Sequence, residues 1–166
     1  MGDRHSRIRR SCLADQCSLA AARRGRRVER GEVWWAFIGE RCPVVRLSGD
    51  AESELRAMQI VTPATAEEKR GFVVLSGEEA ADSRVMQQVI GSAGTGIGGV
   101  GVEVEVGTRE GLSHDGVVRV ALPRDGHIFC TWLVTLTRES LVERAGALSC
   151  TKLDQLGNAL RLARIE

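Results

Sequence analysis

Tyrosine is absent from this chain of 166 residues, and aromatic residues make up only 4% of it. No apolar run approaches the roughly 18 residues that a membrane-spanning helix needs, so we expect no membrane segment. The five Cys are odd in number and form no C-x-x-C pair, which argues against a disulfide framework or a zinc site and favours reduced thiols in the cytoplasm. The three His do not stand at ligand spacing from Cys or from one another. We therefore expect no metal and no cofactor.

Positive charge is concentrated at the start of the chain. Residues 1–27 hold eight Arg against two Asp, a formal charge of +6, which leaves −5 for the remainder of a chain whose total is +1. Such a composition is typical of a disordered tail, and it also resembles that of an organelle transit peptide. We expect a basic disordered tail over 1–27 and one folded domain over 28–166. A basic arm on a mildly acidic body is not the pattern of a uniformly basic nucleic-acid-binding domain.

Short runs rich in Val, Trp and Phe predict strands over most of the domain. The strands are expected at 32–38, 43–48, 57–61, 71–75, 102–106, 117–121 and 128–136, with the last of them central. One helix is expected at 78–90, introduced by a capping box of Ser76 and Glu79, and another at 150–163. A helical turn is expected at 141–143. Because no β-α-β alternation is visible, this order favours a mostly β (β+α) fold over a doubly wound sheet.

One stretch, RGEVWWAFIGERCPVVRLS, organises the domain. Two apolar runs in it, Val33–Ile38 and Pro43–Leu47, flank a short polar break. This pattern predicts a hairpin whose turn presents the Glu40 carboxylate and the Arg41 guanidinium at the rim of a groove. The residues around Cys42 do not form a G-C-G-x-C type of catalytic-cysteine motif, which favours an inert thiol over a nucleophile.

Two adjacent tryptophans, Trp34 and Trp35, lie in the first of these runs. A strand would place them on opposite faces of the sheet. The outward one either packs, in an interface or under the last helix, or stacks a nucleobase. The sequence leaves both interpretations open.

Arg41, Thr65 and Arg119 each fall at the edge of a predicted strand. An Arg holds a phosphate by bidentate hydrogen bonds and stays charged at any working pH, and a Thr hydroxyl can add one more bond. Such a set fits metal-free RNA cleavage, in which the 2′-hydroxyl is the internal nucleophile. Solvated residues at strand edges are the alternative interpretation.

Six short motifs occur in a fixed order: RGEVWW, GERCPVVRLS, IVTPAT, GVVR followed by PR, LVTL, and GALS leading into LRLA. In this order, from about Arg30 to Ile165, they resemble the strands and the last helix of the MazF/PemK toxin family. That family comprises the ribosome-independent mRNA interferases of bacterial toxin–antitoxin pairs. The GVVR and PR motifs are similar to its PemK-like branch.

The resemblance implies a small SH3-like β-barrel of the MazF/PemK/CcdB type, with an inserted helix and a C-terminal helix, that forms a cytoplasmic homodimer. It implies sequence-specific cleavage of single-stranded mRNA without a metal, in a groove for which a cognate antitoxin competes. A non-catalytic barrel protein, either an inactive toxin relic or a CcdB-like gyrase-binding toxin, is the alternative.

The resemblance also implies roles for individual residues. The family's Arg before Pro falls at Cys42 here, and Arg41 stands one residue earlier. In that role Arg41 would clamp the scissile phosphate and serve as general acid or base, while Thr65 would stabilise the developing charge. Arg119 would be an auxiliary phosphate ligand, although Ala121 stands where the PemK-like branch has an Asp. The expected site is therefore catalytic Arg41 and Thr65 with substrate-binding Arg119, Glu40 and Trp35.

Overall fold

A computed structural model describes residues 29–48, 54–94, 96–123 and 132–166. Its strands are β1 Glu32–Ile38, β2 Glu40–Ser48, β3 Leu55–Val61, β4 Phe72–Ser76, β5 Gly99–Val106, β6 Gly116–Leu122, β7 Leu133–Leu136 and β8 Leu141–Ala147. Its helices are α1 Gly77–Ala81, α2 Ser83–Ser92 and α3 Cys150–Leu162. Within these ranges no helix has the length and apolar character to cross a membrane. The expected tail at 1–27 and the first part of the expected strand at 128–136 lie outside the described residues.

The strands form one sheet in the order β4-β5-β6-β3-β2-β1-β8, and β7 pairs with the first half of β3. The ladders are antiparallel except the one between β4 and β5, which is parallel. The segment β4-α1-α2-β5 is therefore a single β-α-β crossover, whose strands and helix the sequence predicted without showing that the two strands are parallel. A single crossover makes no repeating alternation for the sequence to show. The mostly β (β+α) class is confirmed, and among the described strands no ladder joins β4 to β8.

Apolar side chains pack on both faces of the sheet. The main core lies between the sheet and α3 and includes the fully buried Val33, Val45, Leu156 and Leu160. A smaller cluster on the opposite face consists of Ala36, Cys42, Val44, Ala57 and Leu136. Trp35 packs against the main core and Trp34 against the smaller cluster, which confirms that the two indoles face opposite ways.

The hairpin between β1 and β2 is tighter than the sequence predicts. Ile38 pairs with Glu40 across Gly39, whose φ of +75° lies in the left-handed region that glycine adopts without a steric penalty. Arg41 and Cys42 are therefore strand residues, and the predicted polar break at the turn was wrong. Charged residues continue a strand where one of its faces meets solvent, and the apolar pattern alone does not reveal this continuation.

The helix expected at 78–90 is divided in two. The capping box is confirmed: Glu79 N–H donates to the Ser76 hydroxyl at 3.1 Å, and Ser76 N–H donates to the Glu79 carboxylate at 2.7 Å. Asp82, with φ −104° and ψ 109°, then ends α1, and its side chain caps α2 by accepting from Arg84 N–H and Val85 N–H. A short carboxylate that bonds nearby N–H groups competes with the helix in this way.

The C-terminal third departs most from the sequence-based expectation. The strand expected to be central is β7, which among the described strands pairs with β3 alone. The helical turn expected at 141–143 is instead the start of β8, which pairs with β1. The partner that makes this segment a strand lies at the opposite end of the domain in sequence, so no local pattern contains it.

Two glycines allow two stretches of backbone to touch. A Cβ on Gly146 would collide with the carbonyl oxygen of Glu110, and one on Gly111 would collide with the carbonyl oxygen of Ala145. Backbone atoms cannot move aside as the tip of a long side chain can. We predict that Gly146→Ala lowers the free energy of unfolding by about 1–3 kcal/mol, measured by urea denaturation.

The matched control is Gly91→Ala in α2, where no atom lies within 4 Å of the added Cβ. Alanine is the better helix former, so this change should be neutral or should stabilise the protein by up to about 1 kcal/mol. Equal effects of the two substitutions would contradict the close approach at Gly146.

Candidate functional site

An arginine, an indole ring and a carboxylate meet on three neighbouring strands. Arg41 of β2 donates from Nη2 to Glu143 Oε2 at 2.8 Å, and its Cζ lies 4.9 Å from the centroid of the Trp35 ring. Trp35 of β1 stands opposite Pro43 in β2 and opposite Glu143 in β8. The register of three strands therefore fixes this group, which we call the Arg41 cluster: Trp35, Arg41 and Glu143.

The Arg41 cluster is oriented but remains in water. The side chains of Arg41 and Glu143 are 54% and 64% exposed, and an ion pair at such exposure contributes about 0–1 kcal/mol. The contact with the Trp35 ring adds a similar amount, about 0.5–1 kcal/mol. The bond to Glu143 uses Nη2, and a guanidinium has further N–H groups at Nε and Nη1. The cluster can thus exchange its internal contacts for those of a ligand at small cost.

Thr65 lies in the segment that follows β3. Its N–H donates to Glu68 Oε2 at 2.7 Å, and Glu68 N–H donates to Thr65 Oγ1 at 3.2 Å. The Thr65 hydroxyl also donates a hydrogen bond to the Glu68 carboxylate, so the two side chains are bonded in both directions. The hydrogen bond from Thr65 N–H holds the pKa of Glu68 below its usual value, and the positive charge of Arg119 adds to this effect.

Arg119 of β6 lies inside the protein. It is 9% exposed, and it donates from Nε to Glu103 Oε1 at 2.8 Å and from Nη2 to the Thr62 carbonyl oxygen at 3.2 Å. Glu103 is its cross-strand partner in β5, and the same Oε1 also accepts from Ala64 N–H at 3.0 Å. This ion pair therefore holds both ends of the segment that immediately precedes Thr65.

Strand alternation separates the expected site residues. Arg41 lies on the same face of β2 as Val45 of the main core, whereas Cys42 is 7% exposed in the cluster on the other face. Arg119 alternates with the main-core residues Val118 and Val120, so it lies on the face opposite to Arg41. The structure does not bring the two arginines together.

Arg41 and Thr65 do lie at the same end of the sheet. The ladder that pairs Val44 with Gln59 brings the start of β2 alongside the end of β3, from which the chain continues to Thr65. Glu40 is exposed at the first position of β2 and, by alternation, lies on the other face from Arg41.

The sequence gives no signal for two of the functional candidates. Glu143 falls in the segment predicted as a helical turn, and its contact with Arg41 depends on the β1–β8 ladder. The Val-Glu alternation of β5 predicts outward carboxylates, yet Glu103 is buried beside Arg119. Both contacts join residues that are remote in sequence, and only the register of the sheet shows them.

A groove of about 730 Å³ lies beside the Thr65 segment and is lined in part by Pro63 and Lys69. Its charged lining is mainly acidic, with the carboxylates of Glu79, Glu103, Glu105, Glu110 and Asp115 against the cations of Lys69, Arg109 and Lys152. Acidic walls repel a phosphate group. In the part of the chain described, no group of three or more His, Cys, Asp and Glu is arranged to hold a metal ion. The Arg41 cluster is therefore the better candidate for binding a phosphate.

Glu110, in the wall of this groove, is buried. Its carboxylate lies 2.8 Å from Lys152 Nζ and accepts Gly107 N–H at 2.8 Å. Burial alone would raise the pKa of Glu110, but the Gly107 hydrogen bond and the Lys152 charge together outweigh burial and lower it. This ion pair joins α3 to the turn that follows β5.

No protein-family model and no curated protein sequence matches the chain. Among solved structures, Mycobacterium tuberculosis toxin MazF-mt6 matches 81% of this chain and 96% of its own, with 14% identity and a TM-score of 0.46. The chain is similar to a MazF toxin. An endoribonuclease in complex with its cognate antitoxin, from a mycobacterial species, matches 82% of this chain and 92% of its own, with 15% identity and a TM-score of 0.44.

The buried ion pair of Glu103 and Arg119 generates a stability prediction. Glu103→Ala removes the acceptor of the Arg119 guanidinium and of Ala64 N–H, and loss of one partner of a buried pair typically costs about 3–5 kcal/mol. We expect a loss of this size in the free energy of unfolding, measured by urea denaturation. Glu105→Ala, an exposed position on the same strand, should change it by less than about 0.5 kcal/mol. Similar losses for the two variants would contradict the role of the ion pair.

The lowered pKa of Glu110 predicts a pH dependence of stability. A carboxyl whose pKa is lower in the folded than in the unfolded state stabilises the fold at pH above its ordinary value of 4.5, and this contribution disappears as the pH falls through the folded value. The free energy of unfolding should therefore be lower for Glu110→Gln than for the wild type at pH 7, and the difference should shrink below about pH 4.5. Denaturant titrations across this range measure it. A difference that does not change with pH would show that the charge of Glu110 has no part in it.

Proposed function

We propose that this protein is a metal-independent endoribonuclease of the MazF/PemK type, which cleaves single-stranded mRNA and is inhibited by a cognate antitoxin. The observation that supports it best is the Arg41 cluster, an exposed arginine oriented by an aromatic ring on a rigid sheet and in contact with a carboxylate. The order of motifs in the sequence supports the same reaction.

The proposed chemistry is transesterification within the RNA. The 2′-oxygen forms a bond to the neighbouring phosphorus, and the bond from phosphorus to O5′ breaks, which leaves a 2′,3′-cyclic phosphate and a 5′-hydroxyl. The phosphorane gains negative charge during this step. Arg41 stabilises that charge through N–H groups that its bond to Glu143 does not use. Thr65, at the same end of the sheet, exchanges its hydroxyl bond to Glu68 for one to a phosphate oxygen.

Proton transfer in this reaction needs a group other than arginine. The family resemblance implied that Arg41 serves as general acid or base. A guanidinium remains protonated in proteins, however, so Arg41 cannot accept the proton of the 2′-hydroxyl. The Glu143 carboxylate is held 2.8 Å from Arg41 and can accept it, while water protonates the departing O5′. The buried pair of Arg119 and Glu103 positions the Thr65 segment and has no contact with substrate in this scheme.

The burial of Cys42 favours a second candidate, a non-catalytic toxin of the CcdB-like kind. The position at which the resemblance expects arginine is occupied by a thiol that is 7% exposed in an apolar cluster. In this case Arg41 and Trp35 would contact a protein target instead of RNA.

Cleavage of an unstructured RNA by purified protein in EDTA tests the proposal. We predict that Arg41→Ala lowers kcat/KM by at least about 10²-fold, because the substitution removes the charge that stabilises the phosphorane. Arg41→Lys should retain only part of the activity, since an ammonium lacks the planar fork of donors. The control is Arg84→Ala on α2, an exposed arginine outside the cluster, which should cleave as the wild type does.

The same assay distinguishes the role of Glu143 from that of Arg41, and the proposed endoribonuclease from the non-catalytic candidate. Glu143→Gln should lower kcat by about 10²- to 10⁴-fold with little change in KM, as expected for loss of a general base. Undiminished cleavage by Arg41→Ala would refute the proposed mechanism. Growth arrest on expression, combined with no RNA cleavage by the pure wild-type protein, would favour the non-catalytic candidate.

A further inference from the structure

Phe37 has an unusual position for an exposed aromatic residue. It is 60% exposed, the highest value for a large apolar side chain among the described residues. A single exposed apolar residue needs no explanation by itself. Phe37, however, stands directly opposite Arg41, the proposed phosphate ligand, in the β1–β2 ladder.

The strand register places Phe37 and the Arg41 cluster on one face. Residues directly opposite in an antiparallel pair have Cβ atoms about 4.5–5.5 Å apart and project to the same side. Trp35 lies two residues before Phe37 in β1 and therefore also faces that side. Arg41 covers the ring of Trp35 and not that of Phe37. One face thus offers, side by side, a fixed cation and an aromatic ring that is open to solvent.

We propose that Phe37 is the platform on which an unpaired nucleobase stacks beside the phosphate held by Arg41. The inference rests on the proposed function, and it adds the residue that binds the base: in a flexible single strand, a base is free to leave its neighbours and stack on Phe37. Every nucleotide carries a planar base a short distance from an anionic phosphate, and this is the spacing that adjacent cross-strand residues provide. Stacking on an aromatic ring tolerates any base, so sequence preference must come from other contacts.

The surroundings of Phe37 favour RNA over a protein partner. Its neighbours at the hairpin, Gly39, Glu40 and Arg41, are exposed, and the last two are charged. A stable protein interface has an apolar centre, whereas this surface offers one solvent-exposed ring, that of Phe37, among polar groups. A base next to a phosphate complements a ring next to a guanidinium in both shape and charge.

Binding of a short single-stranded RNA that carries 2-aminopurine and a 2′-deoxy substitution at the scissile nucleotide tests this inference. The deoxy substitution prevents cleavage, and 2-aminopurine fluorescence reports stacking directly. Phe37→Ala should weaken binding about 5- to 150-fold and abolish the quenching that wild type produces. Phe37→Trp should keep both the affinity and the quenching. The salt dependence of binding should be unchanged in Phe37→Ala, because no phosphate contact is lost.

The matched control is Val142→Ala on the adjacent strand β8, where an aliphatic side chain is 59% exposed and has no ring for stacking. It should bind the RNA as the wild type does. Unchanged affinity and quenching in Phe37→Ala would overturn the inference. A change of oligomeric state in Phe37→Ala without loss of RNA affinity would also overturn it and would identify a second copy of the chain as the occupant.

The outcomes also separate this inference from the proposed function. If the wild type cleaves an all-ribose RNA and Phe37→Ala does so with unchanged KM, the inference fails and the proposed function stands. If the wild type binds and quenches the labelled RNA but cleaves no ribose substrate, the proposed function fails and the inference stands.

Discussion

The position of β1 between β2 and β8 is the constraint on which the candidate site depends. The ladder with β2 places Arg41 opposite Phe37, and the ladder with β8 places Glu143 opposite Trp35. The second ladder is irregular, with register shifts on both sides of the two tryptophans. Bulges of this kind twist a strand locally and re-aim its side chains, and they are frequent beside functional sites. The position of Glu143 in the Arg41 cluster therefore depends on the irregular ladder between β1 and β8.

Two ion pairs near the candidate site, Arg41–Glu143 and Arg119–Glu103, differ in exposure and therefore in role. Arg41 and Glu143 are exposed, so their bond is weak and can be exchanged for contacts with a ligand. Arg119 and Glu103 are buried, and they also hold a carbonyl oxygen and an N–H of the segment before Thr65. The buried pair resists exchange because each charge would be left in a medium that solvates it poorly. The rigid support and the adaptable surface thus lie on opposite faces of the sheet, whereas the family resemblance assigned both arginines to the phosphate.

Local sequence patterns were sufficient to predict the features that depend only on residues close together in the chain. The Ser76–Glu79 capping box, the opposite faces of Trp34 and Trp35, and the last helix, expected at 150–163 and observed at Cys150–Leu162, depend on residues within a few positions of one another. The crossover between β4 and β5, the strand β8 and the burial of Glu103 depend on partners that are remote in the chain. The site follows the same division: the sequence singled out Arg41 and Trp35, but Glu143 and Phe37 become candidates only when the ladders are known.

Cys42, the residue immediately before Pro43, decides how far the family resemblance extends to the catalytic chemistry. Successive residues of a strand project to opposite faces, so a displacement by one position in sequence is a change of side and not a small shift. Cys42 faces an apolar cluster, while Arg41 faces the surface shared with Trp35 and Phe37. An arginine at 41 therefore cannot act from the place that an arginine at 42 would occupy. If this protein cleaves RNA, it does so on the face defined by β1 and β8, with a carboxylate from β8 beside the arginine.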